Sequence, residues 1–280
     1  MSGVLYVVAT PLGNLDDLSP RAQRTLREVD LIACEDTRHT RQLLTHFEIG
    51  TPTTSYHEHN ETAKTGQLMS KLQEGGQIAL VSDAGTPLIS DPGYRLVSAC
   101  REEKITVIPI PGPSAAIAAL SVSGLPADRC LFVGFLPRRT ALQKGQLRNL
   151  AHEESTLLIY LSPHGLVPTL KRIVESLGNR RAFLAREMTK LHETHYFGHL
   201  GEILDSVGQK TPRGEYTLVV QGAPRKGSTV SSNIDVVAYV RGLMTSREIS
   251  QKDAVKVAAR ELGLPKREVY GMMLETEDRR

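Results

Sequence analysis

Ile78-Ala79-Leu80-Val81-Ser82-Asp83-Ala84-Gly85-Thr86-Pro87-Leu88-Ile89-Ser90-Asp91-Pro92-Gly93 passes directly from an apolar run into a loop dense in glycine, proline and aspartate. A short run with no polar alternation reads as a strand buried on both faces, as in a parallel sheet. Working outward, Leu5–Ala9, Leu31–Cys34 and Thr106–Ile110 repeat the pattern, and Thr53–Tyr56 is a weaker strand. Pro20–Val29, Thr37–Phe47, Glu61–Glu74 and Pro92–Glu103 have helical length and spacing between them. Alternation of this kind predicts an α/β domain. Thr10-Pro11-Leu12-Gly13-Asn14 and Pro111-Gly112-Pro113-Ser114 also leave strand ends, so three Gly/Pro turns gather at the sheet edge where α/β proteins bind ligands. In the opening loop, Asp83 is placed to accept hydrogen bonds from a ligand hydroxyl or amine, Gly85 permits close backbone approach, and Pro92 starts the next helix. A rigid Asx-turn loop explains the glycines and prolines individually but not their accumulation.

Ala115–Val122 reads as a small-residue helix, and Ser123-Gly124-Leu125-Pro126 breaks the chain after it. The strand candidates beyond are Leu131–Phe135, Thr156–Leu161, Ala182–Arg186, Thr194–Gly198 and Tyr216–Gln221. Helices are expected at Ala141–Ala151, Pro163–Leu177 and Leu200–Val207. Short connections predict a mixed or antiparallel sheet in a second, α+β domain. The expected division is 1–122, 123–222 and 223–280, the last comprising a linker over Ala223–Asn233 and a small helical segment. Ser250 caps a helix running to about Leu262, Gly263-Leu264-Pro265 turns, and Lys266–Leu274 is helical again. That pattern fits a helix-turn-helix and equally a helical tail packed on its own chain or a partner.

The 280 residues carry 34 basic and 31 acidic side chains, a net charge of +3. The balance is −4 over residues 1–120, +4 over 121–224 and +3 over 225–280, which suggests separate surfaces, one for a polyanion. Composition is that of an ordinary globular protein, with 40% hydrophobic and 23% charged residues. No apolar run approaches the ~18 residues of a membrane span, and Met1–Tyr6 has no basic segment before an apolar core, so neither membrane insertion nor a secretory signal is expected. Cys34, Cys100 and Cys130 read as buried thiols of a cytoplasmic protein. Trp is absent, which argues against an extended stacking platform for single strands. GxGxxG, GxxxxGK[ST], HExxH and GxSxG are missing, which disfavours a Rossmann site, a P-loop, a zincin and an α/β-hydrolase. His192, His195, His199 and the pair His57 and His59 lack metal-ligand spacing, and no metal is expected.

Several motifs in one order carry a specific resemblance: Thr10–Leu15 with Asp17, Glu35-Asp36-Thr37-Arg38-His39-Thr40, Val81–Gly93, Pro109–Ala115, Gly134-Phe135-Leu136-Pro137 and Ala185–Lys190. Over residues 3–222 the chain resembles the tetrapyrrole-methylase-like (class III) S-adenosylmethionine-dependent methyltransferases, in particular those acting on ribosomal RNA. It departs from their pattern at Leu161 and Gly165, where Glu and Arg are usual, and at Arg213 and Gln221, where Lys and Glu are usual. The resemblance implies an α/β, two-domain fold with the cofactor in the cleft between domains. It implies S-adenosylmethionine against Leu12, Asp83, Gly85, Thr86, Ser114 and Ala115 from the first domain and Leu161, Ser162, Met188 and Thr217 from the second. The implied reaction is methyl transfer to the ribose 2′-hydroxyl of a cytidine in 16S rRNA, in the decoding region of the 30S subunit, by a homodimer.

A ribose hydroxyl attacks well only after losing its proton, so a general base is expected. Glu35, Asp36, Glu187 and a desolvated Lys190 are the candidates, Lys190 and Glu187 first, and sequence alone does not choose. Arg38 and Arg186 either clamp RNA phosphates or pair with those acids. Arg138, Arg139, Lys144 and Arg148, just after Gly134–Pro137, are expected to contact the RNA backbone. Two rival readings are a same-fold enzyme acting on a tetrapyrrole precursor and a non-catalytic RNA-binding or ribosome-assembly protein.

Overall fold

The structure is a computed structural model that describes residues 3–209, 211–224, 236–247, 249–262 and 266–277. It divides into two compact units, Met1–Gln221 and Gly222–Arg280.

The first unit contains two five-stranded sheets. In the N-terminal sheet, β1 (Val4–Val8), β2 (Leu31–Cys34), β3 (Thr53–Ser55), β4 (Gln77–Val81) and β5 (Thr106–Ile110) are all parallel, in the order β3-β2-β4-β1-β5. β4 shows why its sequence is apolar without alternation. Ala79 and Val81 pack with Leu26 of α1 (Pro20–Glu28) and Leu44 of α2 (Thr37–His46). Ile78 and Leu80 pack on the opposite face with Leu72 of α3 (Glu61–Gln73) and Leu96 of α4 (Tyr94–Glu102). The helix expected from Pro92 begins instead at Tyr94, after the N-cap Gly93, whose φ of +138 is outside helical space and favours glycine.

α5 (Ala115–Val122) follows β5 but packs on the other sheet, placing Ala116, Ala119 and Leu120 against Leu158, Phe183, Ala185 and Val219. That sheet consists of β6 (Cys130–Phe135), β7 (Thr156–Leu161), β8 (Arg181–Arg186), β9 (Thr194–His199) and β10 (Tyr216–Val220), ordered β6-β7-β10-β8-β9. It is mixed, since only β6 and β7 run parallel. Its second face is covered by α6 (Thr140–Leu150), α7 (Leu166–Leu177) and α8 (Leu200–Gly208), which contribute Leu147, Leu170, Ile173 and Ile203 to one core. Cys34 and Cys100 are buried as expected, whereas Cys130 is exposed because β6 is an edge strand.

The second unit holds α9 (Val236–Arg247), α10 (Gln251–Leu262) and α11 (Lys266–Glu277), with a core that includes Val240, Leu243, Val255, Ala258 and Val269. Ser250 caps α10 by accepting the Asp253 N–H at 3.2 Å. The expected linker lies outside the described residues apart from Ala223 and Pro224, as does the turn at Gly263–Pro265. Among the described residues, no helix is long and apolar enough to cross a membrane.

Candidate active site

The loops leaving the carboxyl ends of β1, β4 and β5 are tied together. Thr10 and Gly85 exchange backbone hydrogen bonds of 2.9 and 3.0 Å. The Thr86 hydroxyl donates to the Pro113 carbonyl at 2.9 Å. Gly85 has φ +82, and a Cβ there would lie 3.2 Å from Leu12 Cδ2, so any side chain would be both strained and crowded. Three segments distant in sequence thus form one shelf.

Above this shelf lies a cavity of about 310 Å3, within the range of small-molecule sites. The N-terminal sheet supplies Leu12, Asp83, Gly85, Thr86, Ser114 and Ala115 to its wall, and the other sheet supplies Leu161, Ser162 and Thr217. Met188 is instead packed on the core under α5. Leu161 also belongs to the buried core beneath α7, so at this departure from the family pattern an apolar side chain completes packing. Ser114 begins α5 without a side-chain cap, leaving the first backbone N–H groups of that helix for other partners.

A second cavity, of about 330 Å3, is bounded by Glu35, Glu58, Glu61, Ser90, Asp91, Pro92, Gly93 and Tyr94. Ser90 and Asp91 line both cavities. The connecting loop is held in an unusual backbone shape, with φ +72 at Leu88 and +70 at Ser90.

A family model for tetrapyrrole (corrin/porphyrin) methylases matches residues 4–204. The chain belongs to this family. It is 48% identical over 276 residues, 98% of its length and 99% of the relative's, to ribosomal RNA small subunit methyltransferase I of Synechocystis sp.. It is 46% identical over 278 residues, 98% and 96% of the two chains, to the protein of the same name from Escherichia coli O157:H7. The fold alone is shared with uroporphyrin-III-C-methyltransferase from Thermus thermophilus (TM-score 0.57, 22% identity, covering 78% and 94% of the two chains). It is likewise shared with diphthine synthase (TM-score 0.59, 13% identity, covering 79% and 90%).

In this chain the four expected base candidates separate. Asp36 accepts the Arg38 N–H at 2.8 Å as the cap of α2 and pairs with the Arg38 guanidinium at 2.9 Å. Those hydrogen bonds hold its carboxyl down at about 2. Its own backbone N–H donates to Asp83 Oδ1 at 3.1 Å, so Asp36 positions Asp83. The Lys190 ammonium donates to Glu187 at 3.0 Å and Glu215 at 3.1 Å. Burial alone would lower the Lys190 pKa, but the two carboxylates outweigh it and raise the net value. Lys190, partly desolvated as the sequence suggests, is thus held as a paired ammonium. At Glu187 burial works upward, yet the Glu215 N–H and Lys190 leave the carboxyl lowered. Neither Glu187 nor Lys190 lines either cavity. Both brace the shelf: Lys190 lies against Gly13, and the neighbouring Thr189 hydroxyl accepts the Asn14 N–H at 3.2 Å. Of the four, Glu35 lines one of these two cavities, and burial followed by the Asp83 charge raises its pKa.

Among the expected RNA contacts, Arg38 pairs with Asp36, and Arg186 donates to the Arg213 carbonyl at 2.9 Å. Arg138, Arg139, Lys144 and Arg148 are arrayed at and along α6, and none is in an ion pair among the described residues. No His, Cys, Asp and Glu group suited to a metal occurs among the described residues. Among the residues that sequence reasoning missed are Asp91, Phe135, Tyr160 and Glu215, all on the first cavity wall. Asp91 lay inside the loop singled out by its composition, but its burial depends on neighbours from other loops.

Proposed function

We propose that this chain transfers the methyl group of S-adenosylmethionine to the ribose 2′-hydroxyl of a cytidine in 16S rRNA, within the 30S subunit. The observation that carries the reading is the shelf and cavity of a chain so similar, over nearly its whole length, to relatives named for methylating small-subunit ribosomal RNA. When bound, S-adenosylmethionine supplies a methyl group on a sulfonium sulfur. The residues present fit that molecule. Asp83 keeps one carboxylate oxygen for an amine or hydroxyl, the uncapped start of α5 suits a carboxylate, and Leu12, Ala115 and Leu161 offer apolar wall for a base. Methyl transfer is an in-line displacement, so much of the acceleration comes from holding the acceptor oxygen in place.

The working division is a cofactor-loop domain over 1–122, a domain over 123–222 completing the cleft, and a helical segment over 223–280. Leu12, Asp83, Gly85, Thr86, Ser114, Ala115, Leu161, Ser162 and Thr217 contact the cofactor, with Met188 behind them. Arg138, Arg139, Lys144 and Arg148 contact RNA phosphates, together with Arg38 and Arg186. The protein acts in the cytoplasm as a homodimer. Exposed apolar side chains on α5 and the edge strand β6 support the dimer: Ile117, Val122, Leu131, Phe132 and Phe135. The test is labelled S-adenosylmethionine with 30S subunits lacking the modification. A labelled 2′-O-methylcytidine is expected, and label confined to a tetrapyrrole precursor would overturn the reading.

A further inference from the structure

We propose that Asp91 is the group that takes the proton from the acceptor hydroxyl, at the wall shared by the two cavities. The inference rests on the function proposed above. Its geometric basis is that Ser90 and Asp91 are common to both linings, so a methyl donor in the first cavity and an acceptor in the second meet at this loop. The loop is fixed from several sides. Leu88 and Ser90 have positive φ, Gly93 packs so closely on Leu80 and Leu88 that a Cβ would lie 2.8 Å from Leu80 Cδ2, and the backbone of Gly134 in β6 lies beside Ser90 Oγ. Conformations this uncommon persist only where surrounding structure enforces them, and they gather at functional sites.

The groups facing Asp91 make it a proton acceptor at neutral pH. Burial, then Glu35 after β2, push its carboxyl to about 7; Asp83 after β4 and Glu215 before β10 add to this, while a Ser82 hydrogen bond opposes it. Glu58 and Glu61 face the second cavity, Glu61 being paired with Arg95 at 2.7 Å, and Tyr160 stands on the first cavity wall. His57 faces Glu35 and works against the rise of its pKa, and Lys190, beside Glu215, is committed to Glu187 and Glu215. Among the described residues, no cation pairs with Asp91. A base with its pKa near the working pH is the most effective for proton transfer. The step balances: Asp91 takes the hydroxyl proton, the oxygen's electron pair forms the O–CH3 bond, and the S–CH3 pair stays on sulfur as a neutral thioether.

The test is single-turnover methyl transfer to 30S subunits lacking the modification, from about pH 5.5 to about pH 9, with cofactor affinity measured by calorimetry. The wild-type rate should rise with pH and level off above about 7. Asp91→Asn should lose roughly 10²- to 10⁴-fold in rate, lose the inflection, and bind S-adenosylmethionine as before. Asp91→Glu should recover part of the rate together with an inflection. An Asp91→Asn enzyme with near-normal rate and an unchanged inflection would overturn the inference. So would a loss matched by an equal loss of cofactor affinity, which would make Asp91 a binding group. A wild-type enzyme that labels no cytidine at any pH would instead overturn the function itself, and this inference with it.

Discussion

Asp83 and Asp91 are eight residues apart in one loop, yet their surroundings give them different work. Asp83 is oriented by the Asp36 N–H and keeps an oxygen for a ligand. A hydrogen bond to a charged group contributes about 1.5–3 kcal/mol, so Asp83→Ala should weaken S-adenosylmethionine binding by roughly 10- to 100-fold by calorimetry; unchanged affinity would remove Asp83 from the cofactor site. Asp91 carries a cost to stability. Its carboxyl ordinarily titrates at 3.8 and in the fold at about 7, so between those values the folded chain holds a proton that the unfolded chain has released. Stability from this group therefore falls as pH rises through that window. Asp91→Asn should raise the melting temperature at about pH 8 and change it little at about pH 4. Equal effects at both would mean that the carboxyl ionises normally. Little of this was readable residue by residue. Asp36 capping α2, and Glu187 pairing with Lys190 beside Gly13, are contacts that the sequence does not show. The decisive neighbours of Asp91 are Glu35, Asp83 and Glu215, brought together only by the sheet edges.

At the scale of elements, the parallel sheet was the most legible part, because strands buried on both faces must be apolar throughout, as Ile78–Val81 are. The mixed second sheet was also readable from its short connections. α9 was not: Val236-Val237-Ala238-Tyr239-Val240 is rich in residues that favour strands, and the packing of Val240 and Leu243 on α10 overrides that preference. The same distinction between pattern and packing bears on α6. Changing Arg138, Arg139, Lys144 and Arg148 together to Gln should weaken 30S binding and flatten its salt dependence, by roughly 0.7 to 0.9 in log–log slope for each phosphate no longer neutralised. An unaltered slope in filter binding would take α6 out of the RNA footprint. On the edge strand β6, Phe132→Asp should convert dimers to monomers in sedimentation; an unchanged dimer would place the interface elsewhere.

For the whole molecule, the +3 net charge says little, but its distribution separates an acidic N-terminal half from a basic remainder. The acidic part carries the shelf and the half-buried carboxylates Glu35, Asp83 and Asp91, and the basic part carries α6 and the C-terminal unit. That unit has its own core, so a chain ending at Gln221 should stay folded and bind S-adenosylmethionine at full affinity while binding 30S subunits more weakly. The most direct test of the central claim is the position of the methyl group after reaction with labelled S-adenosylmethionine and 30S subunits lacking the modification, read by nuclease digestion and mass spectrometry. One 2′-O-methylated cytidine in 16S rRNA is predicted. A methyl group on a base, or none on rRNA from an enzyme that binds the cofactor, would contradict it.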